Sequence, residues 1–183
     1  MDRDVAQLVA LARIELPYRT AAFERLAAHC YPRIRRLARA ITGSRDDADT
    51  VAQETMLKVF HGLPALREPA RFDAWLQRTL VNTANSHLAA ERRQREKARV
   101  WRQRIGTELQ ARSDAESTSL ETASFDALIE GLNLRDRSIL AFRLVEELDY
   151  PAIAHIMGMG ESAVKMAYRR AIERLRQRHQ DLV

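Results

Sequence analysis

Three groups of residues carry the chemistry this sequence can perform, and all three are built for recognition. The first is cationic and lies near the C-terminus, in "YPAIAHIMGMGESAVKMAYRR". Lys165 and Arg169 stand one helical turn apart there, beside Glu161, Ser162 and Met166, and Arg170, Arg174, Arg176 and Arg178 continue the charge. Cations at that spacing bind phosphate oxygens and reach base edges in a nucleic-acid groove. The second group is anionic. Asp46, Asp47, Asp49 and Glu54 lie in "SRDDADTVAQETMLKVF", and Thr50 interrupts the acidic series. The third runs from Asn82 and Asn85, whose amides can read an unstacked base, to Arg92, Arg93, Arg95 and Lys97, which can grip phosphates.

No catalytic set competes with them. The five histidines have no metal-ligand spacing to one another or to Cys30. "GMG" is too short for a phosphate loop. The sequence therefore predicts no enzyme, no cofactor and no metal.

These residues need elements to hold them, and the periodicity is helical throughout. There is no sustained alternation and no Asn-Gly or Asp-Gly hairpin turn. The pattern predicts helices near 4–15, 18–40, 45–61, 70–100, 124–131, 135–146, 150–157 and 161–179. In the 45–61 helix, Ala48, Val51, Ala52, Thr55, Met56, Val59 and Phe60 recur at the spacing of a buried stripe. At about 100° per residue, Thr50 points away from that stripe, with Asp46, Gln53, Glu54 and Leu57 on its side. Ser44 followed by Asp47 marks a capped start. Pro64 and Pro69 make "HGLPALREPARF" a loop. Phe72 and Trp75 stand at i, i+3, a spacing that predicts core packing.

Near the C-terminus, Ala154, Gly158 and Val164 fill the crossing, turn and second-helix positions of a helix-turn-helix. Ile153, Met157, Met159 and Ala167 fill its other apolar slots. The second helix of that motif lies in a DNA major groove.

Composition sets the outer bounds. A chain of 183 residues and 46% hydrophobic content suits one domain or two small ones. A formal charge of +5 favours an anionic partner. One cysteine rules out an internal disulfide, and Cys30 reads as a small apolar core residue. The opening "MDRDVAQLVALARIEL" is amphipathic rather than a signal peptide, and no apolar stretch approaches a membrane span, so no membrane insertion and a cytoplasmic location are expected. "SDAESTSLETASFD" has no Lys or Arg and many Ser and Thr, the composition of a linker. The predicted fold is therefore all-α, with two small helical domains joined by a polar linker: residues 1–100, a linker over 101–123, and 124–183 carrying the helix-turn-helix.

The order of these elements resembles an extracytoplasmic-function (ECF) sigma factor of bacterial RNA polymerase, over roughly residues 20–180. The acidic helix, the Pro-bearing loop, "FDAWLQRTLVN" and the basic tail are similar to the family's second region. "LIEGLNLRDRSILAFRLVEELDYPAIAHIMGMGESAVKMAYRRAIERLR" is similar to its fourth. The resemblance implies that the second region opens and captures the −10 element as single strand, with the loop holding a flipped base. The fourth reads the −35 element as duplex. It implies core RNA polymerase as partner, through the β′ clamp helices and the β flap, together with promoter DNA and an anti-sigma factor. Asp46, Asp47, Asp49, Thr50, Gln53, Glu54 and Leu57 then face the polymerase. Glu161, Ser162, Lys165, Met166, Arg169, Arg170, Asn82, Arg92, Arg93 and Arg95 face DNA.

Two departures from the family pattern stand out. Met166 and Ala167 follow Lys165, where the family commonly has Ser-Arg. Thr50 replaces a carboxylate of the usual Asp-Ala-Glu-Asp stretch. A subgroup of the family carries such a threonine and is activated when a Ser/Thr protein kinase phosphorylates it; the resemblance extends to that subgroup and assigns Thr50 as the phosphorylation site. Two rival readings stay open on sequence: a stand-alone helix-turn-helix regulator, and a protein that only sequesters polymerase or kinase.

Overall fold

The computed structural model describes residues 3–105, 129 and 131–181, and every regular element among them is helical. The long helices are α1 (Arg3–Glu15), α2 (Ala21–Thr42), α3 (Arg45–Gly62) and α4 (Phe72–Ile105). Two short 3₁₀ turns, Leu63–Ala65 and Pro69–Arg71, connect α3 to α4. The C-terminal part holds α5 (Leu134–Leu144), α6 (Tyr150–Met157) and α7 (Glu161–Asp181).

Local chemistry sets the boundaries. Leu26, Cys30, Ile34, Leu37, Ala38 and Ile41 bury one face of α2. Its end is closed by Gly43 at φ +79°, whose N–H bonds Arg39 O at 3.0 Å. The side chain of Ser44 then accepts from Asp47 N at 3.3 Å and starts α3, as the capping pattern predicts. Asn133 and Asp149 cap α5 and α6 in the same way, each accepting at 2.9 Å from the amide three residues on. The α6–α7 turn depends on Gly158 at φ +64°, a conformation that costs a side chain with a Cβ about 1–2 kcal/mol.

Sequence reading placed helix ends within a few residues, with one larger difference. The helix expected to stop at 100 continues to Ile105, into the segment assigned to the linker. Gln94, Arg95, Glu96 and Lys97 are good helix formers, and no Gly or Pro interrupts the run. The remaining linker, 106–123, lies outside the described residues, as does most of the helix expected over 124–131.

The two helical units pack on each other. One continuous apolar core runs from Val9, Leu26 and Ile34 through Leu76 and Leu80 to Phe142, Ile153 and Val164. Large side chains buried to this degree are each worth about 1.5–3 kcal/mol. A smaller cluster of Leu132, Leu140 and Ala171 fixes α7 on α5. Polar contacts reinforce the seam. Arg137 Nη1 donates to Thr42 O at 2.9 Å. Arg33 on α2 donates through Nε to Glu146, beyond α5, and through Nη1 to Asp73 on α4 at 3.3 Å. The Glu146 side chain is 6% exposed, so its end of the ion pair is withdrawn from water, while Arg33 is 33% exposed.

Candidate functional site

The predicted stripe of α3 is buried as expected, with Ala48, Val51, Ala52, Thr55, Met56 and Val59 against α2 and α4. Phe60 completes it half-buried, edge-on to Phe23 at 5.1 Å between ring centroids. The opposite side is open. Asp46, Thr50 and Gln53 are exposed, Glu54 is half-exposed, and Leu57 is 60% exposed. These five form one surface strip.

Asp47 and Asp49, which the resemblance turns toward the polymerase, have partners within the chain. Asp47 Oδ1 lies 2.8 Å from His87 Nε2 on α4. Asp49 turns toward α2, where Arg35 binds it through Nε and, at 3.2 Å, through Nη2. That hydrogen bond is the main reason the Asp49 carboxyl sits below its usual range. Both residues therefore flank the strip. The cause is distance in three dimensions: His87 is 40 residues from Asp47 in sequence, and Arg35 is one helix away from Asp49.

On the second surface, Phe72 is fully buried and Trp75 half-buried, 6.2 Å apart between ring centroids, so the expected core role fits Phe72 best. A groove of about 250 Å³ opens beside Trp75, lined by Leu66, Arg67, Arg71, Arg78 and His155 among others. Asn82, Arg92, Arg93 and Arg95 are exposed farther along α4. Sequence reading missed Arg71 and Arg78 here. The available signal was Arg78 at i+3 from Trp75, a cation one turn from an aromatic beside the loop. Arg78 also touches the other unit. A Cβ on Gly158 would meet its Nη2 at 2.6 Å.

On the third surface, the helix-turn-helix has the expected interior, with Ile153, Ala154, Val164 and Ala167 buried. Ala167, where the family commonly has Arg, faces this core at 1% exposure, so a small residue fits. Glu161, Ser162, Lys165, Met166, Arg169 and Arg170 are all exposed on α7. Lys165 Nζ is paired with Glu161 Oε1 at 2.6 Å and lies over the Tyr150 ring at 5.6 Å. Arg169 and Arg170 extend the same helix without an ion pair among the described residues. The late arginines divide. Arg176 is exposed, whereas Arg174 turns back to Asp136 Oδ2 at 3.3 Å and Arg178 lies against Gly131. Arg174 braces α7 on the start of α5, because Asp136 is a buried carboxylate that needs a cationic partner, although the Arg174 side chain stays 51% exposed.

Cys30 is buried beside this framework. Burial, with help from Asp73 and against Arg33, pushes its thiol up to about 11. It behaves as the small apolar residue expected. Among the described residues no cluster of His, Cys, Asp or Glu could hold a metal ion.

The described residues thus present an open strip on α3, an aromatic groove beside the Leu63–Arg71 segment and an exposed cationic face on α7. Residues 26–94 match Sigma-70 region 2, and residues 122–175 match Sigma-70, region 4. The chain is 30% identical over 149 residues to the ECF RNA polymerase sigma-E factor of Haemophilus influenzae, covering 76% of this chain and 78% of that one. The chain belongs to the ECF sigma factor family, whose members give RNA polymerase its promoter specificity and are not enzymes. Solved structures agree on the fold. CnrH in complex with the cytosolic domain of CnrY superposes with a TM-score of 0.69 at 22% identity, covering 97% of this chain and 98% of that one. The sigma factor RpoE in complex with the anti-sigma factor NepR from Bartonella quintana gives 0.62 at 22%, covering 85% and 94%.

Proposed function

We propose that this sigma factor docks on core polymerase through the α3 strip and is switched on by phosphorylation of Thr50. The observation that carries the reading is the exposure of Thr50 on a strip that also presents Leu57 at 60% exposure. A kinase reaches Thr50 without unfolding α3. With Asp47 and Asp49 engaged by His87 and Arg35, the strip presents Asp46 and Glu54 as its carboxylates, and phosphate adds about −1.5 to −2 of charge. A cationic surface on the β′ clamp helices meets that phosphate with charge-assisted hydrogen bonds.

In the same reading, Lys165 and Arg169, with Glu161, Ser162, Met166 and Arg170 around them, read the −35 duplex, and α5–α7 meet the β flap. The Leu63–Arg71 segment and Asn82 capture the −10 strand, and Arg92, Arg93 and Arg95 hold its phosphates. Phosphorylation comes from a Ser/Thr protein kinase. An anti-sigma factor restrains the protein, as NepR accompanies the structurally similar RpoE. The reading places the protein in the cytoplasm, where RNA polymerase acts; no helix among the described residues is long and apolar enough to cross a membrane.

The test compares unmodified protein, protein phosphorylated at Thr50, and Thr50→Ala for polymerase affinity and promoter-dependent transcription. The unmodified protein and Thr50→Ala should dock weakly, and only the phosphorylated form should dock tightly and initiate. Thr50→Glu should give part of the gain, since one planar carboxylate replaces a near-dianion. Full activity without phosphate, with no gain on adding it, removes the switch.

A further inference from the structure

The Leu63–Arg71 segment is gripped by a residue that lies outside both matched regions. Arg13 on α1 precedes residue 26, where the match to Sigma-70 region 2 begins. Its Nη1 donates to Leu66 O at 3.0 Å and, more weakly, to Arg67 O at 3.5 Å. No polymerase or promoter contact above uses it.

Three observations give this grip a role. First, α1 is a fixed platform. Val5, Val9, Ala12 and Leu16 bury one stripe of it at 5% exposure or less, and the helix lies against both 3₁₀ turns. Arg13 borders that stripe and is half-buried. Second, Arg13 holds the part of the segment that regular structure holds least. Leu66 at φ −67°, ψ 109° and Glu68 at φ −120°, ψ 97° are extended. The flanking turns close their own bonds, Leu66 N to Leu63 O at 3.0 Å and Arg71 N to Glu68 O at 2.9 Å. Those bonds leave the Leu66 and Arg67 carbonyls to another donor, and a charged one binds a carbonyl more strongly than a neutral one. Third, Leu66 and Arg67 are themselves wall residues of the groove of about 250 Å³ beside Trp75. Arg13 grips the backbone of that wall without lining the groove.

Capturing a base out of the stack has an unstacking cost that the groove's contacts must recover. A wall already set in its receiving position loses none of that gain to ordering. A wall free to shift accepts more than one base, because its contacts adjust to each.

We propose that Arg13 is a positioning residue for −10 recognition: it fixes the Leu66–Arg67 backbone in the geometry that receives the unstacked base, and sharpens base choice without touching DNA. This rests on the reading that the Leu63–Arg71 segment captures the −10 strand. The experiment uses the full chain with core polymerase, in the Thr50 state that initiates. Wild type first selects a promoter from a library randomised over the −10 element. Permanganate reactivity then gives opening rates on that promoter and on its single-base changes. The ratio of the two rates is the discrimination, and a partly unfolded sample does not alter it. Arg13→Met should lower discrimination at one or more −10 positions by about tenfold, the size of one lost charge-assisted hydrogen bond. Polymerase affinity and −35 duplex binding should stay at the wild-type level. Arg13→Lys keeps the charge and N–H donors but not the fork, so its discrimination should lie between the two. Wild-type discrimination in Arg13→Met overturns the proposal. So does a loss of polymerase affinity with discrimination intact, because Arg13 then only stabilises the fold. Leu66→Gly, Arg67→Gly and Glu68→Gly combined test the parent reading. If this variant fails to open the promoter while Arg13→Met discriminates as wild type does, the reading stands and the positioning role falls. If it opens and discriminates as wild type does, the reading itself falls and takes the positioning role with it.

Discussion

Replacing Glu146 by Gln should loosen the seam between the two helical units. Glu146 is 6% exposed, accepts from Arg33 Nε, and has Arg36 Nη2 at 4.0 Å. Removing one member of a fully buried pair costs about 3–5 kcal/mol, because the other charge is left without its partner in low dielectric. Two features of the site reduce that. Arg33 is 33% exposed, and it keeps Asp73 at 3.3 Å. A loss of about 2 kcal/mol follows. With a urea slope of about 2 kcal/mol per molar, the denaturation midpoint should fall by about 1 M. The Gln carbonyl oxygen still accepts from Arg33 but carries no charge, so Glu146→Ala, which removes the acceptor as well, should cost at least as much. The assay is urea unfolding of wild type, Glu146→Gln, Arg33→Met and the double variant. The coupling energy from that cycle should be at least about 1 kcal/mol. Measured coupling below about 0.3 kcal/mol would mean that the pair adds nothing to the seam, and that the shared apolar core alone joins the units.

Other outcomes follow from single contacts. Lys165→Ala and Arg169→Ala should each weaken promoter binding, by about 1–3 kcal/mol where the contact is bidentate to a base, with the thermal midpoint unchanged; filter binding and transcription at several salt concentrations check this. Gly158→Ala should destabilise the protein by about 1–2 kcal/mol from the positive φ of +64°, and the new Cβ must also displace the Arg78 guanidinium; thermal melts read the loss. Cys30 should react slowly with a thiol reagent at pH 8 in the native protein and fast in denaturant, since burial holds its thiol at about 11 against 9.0 when exposed. Because the folded value is the raised one, its contribution to stability is fully present below pH 9 and is lost as pH rises from 9 toward 11, which pH-dependent denaturation midpoints will show.

Much of this protein was legible in one dimension. The stripe of α3 follows from apolar residues at helical spacing, and its outward side, with Thr50 beside Leu57, follows from the same wheel. Ser44 as cap and Gly158 as turn rest on interactions within four residues, so the local sequence suffices to place them. The order of motifs was enough to recognise the family. What the tertiary structure alone decided was the pairing of surface charges. The wheel sets Asp46 on the outward side with Thr50, but it could not show that His87 claims Asp47 and Arg35 claims Asp49. Arg174 and Arg178 look like a continuation of the cationic helix, yet they return to Asp136 and Gly131. The packing of the two domains over one continuous core, with Glu146 withdrawn from water between them, was equally out of reach. The reason is physical. Hydrophobic periodicity is a property of one helix and repeats every 3.6 residues, whereas an ion pair depends on which two helices lie side by side, and residues as far apart as 33 and 146 meet only after the core has packed.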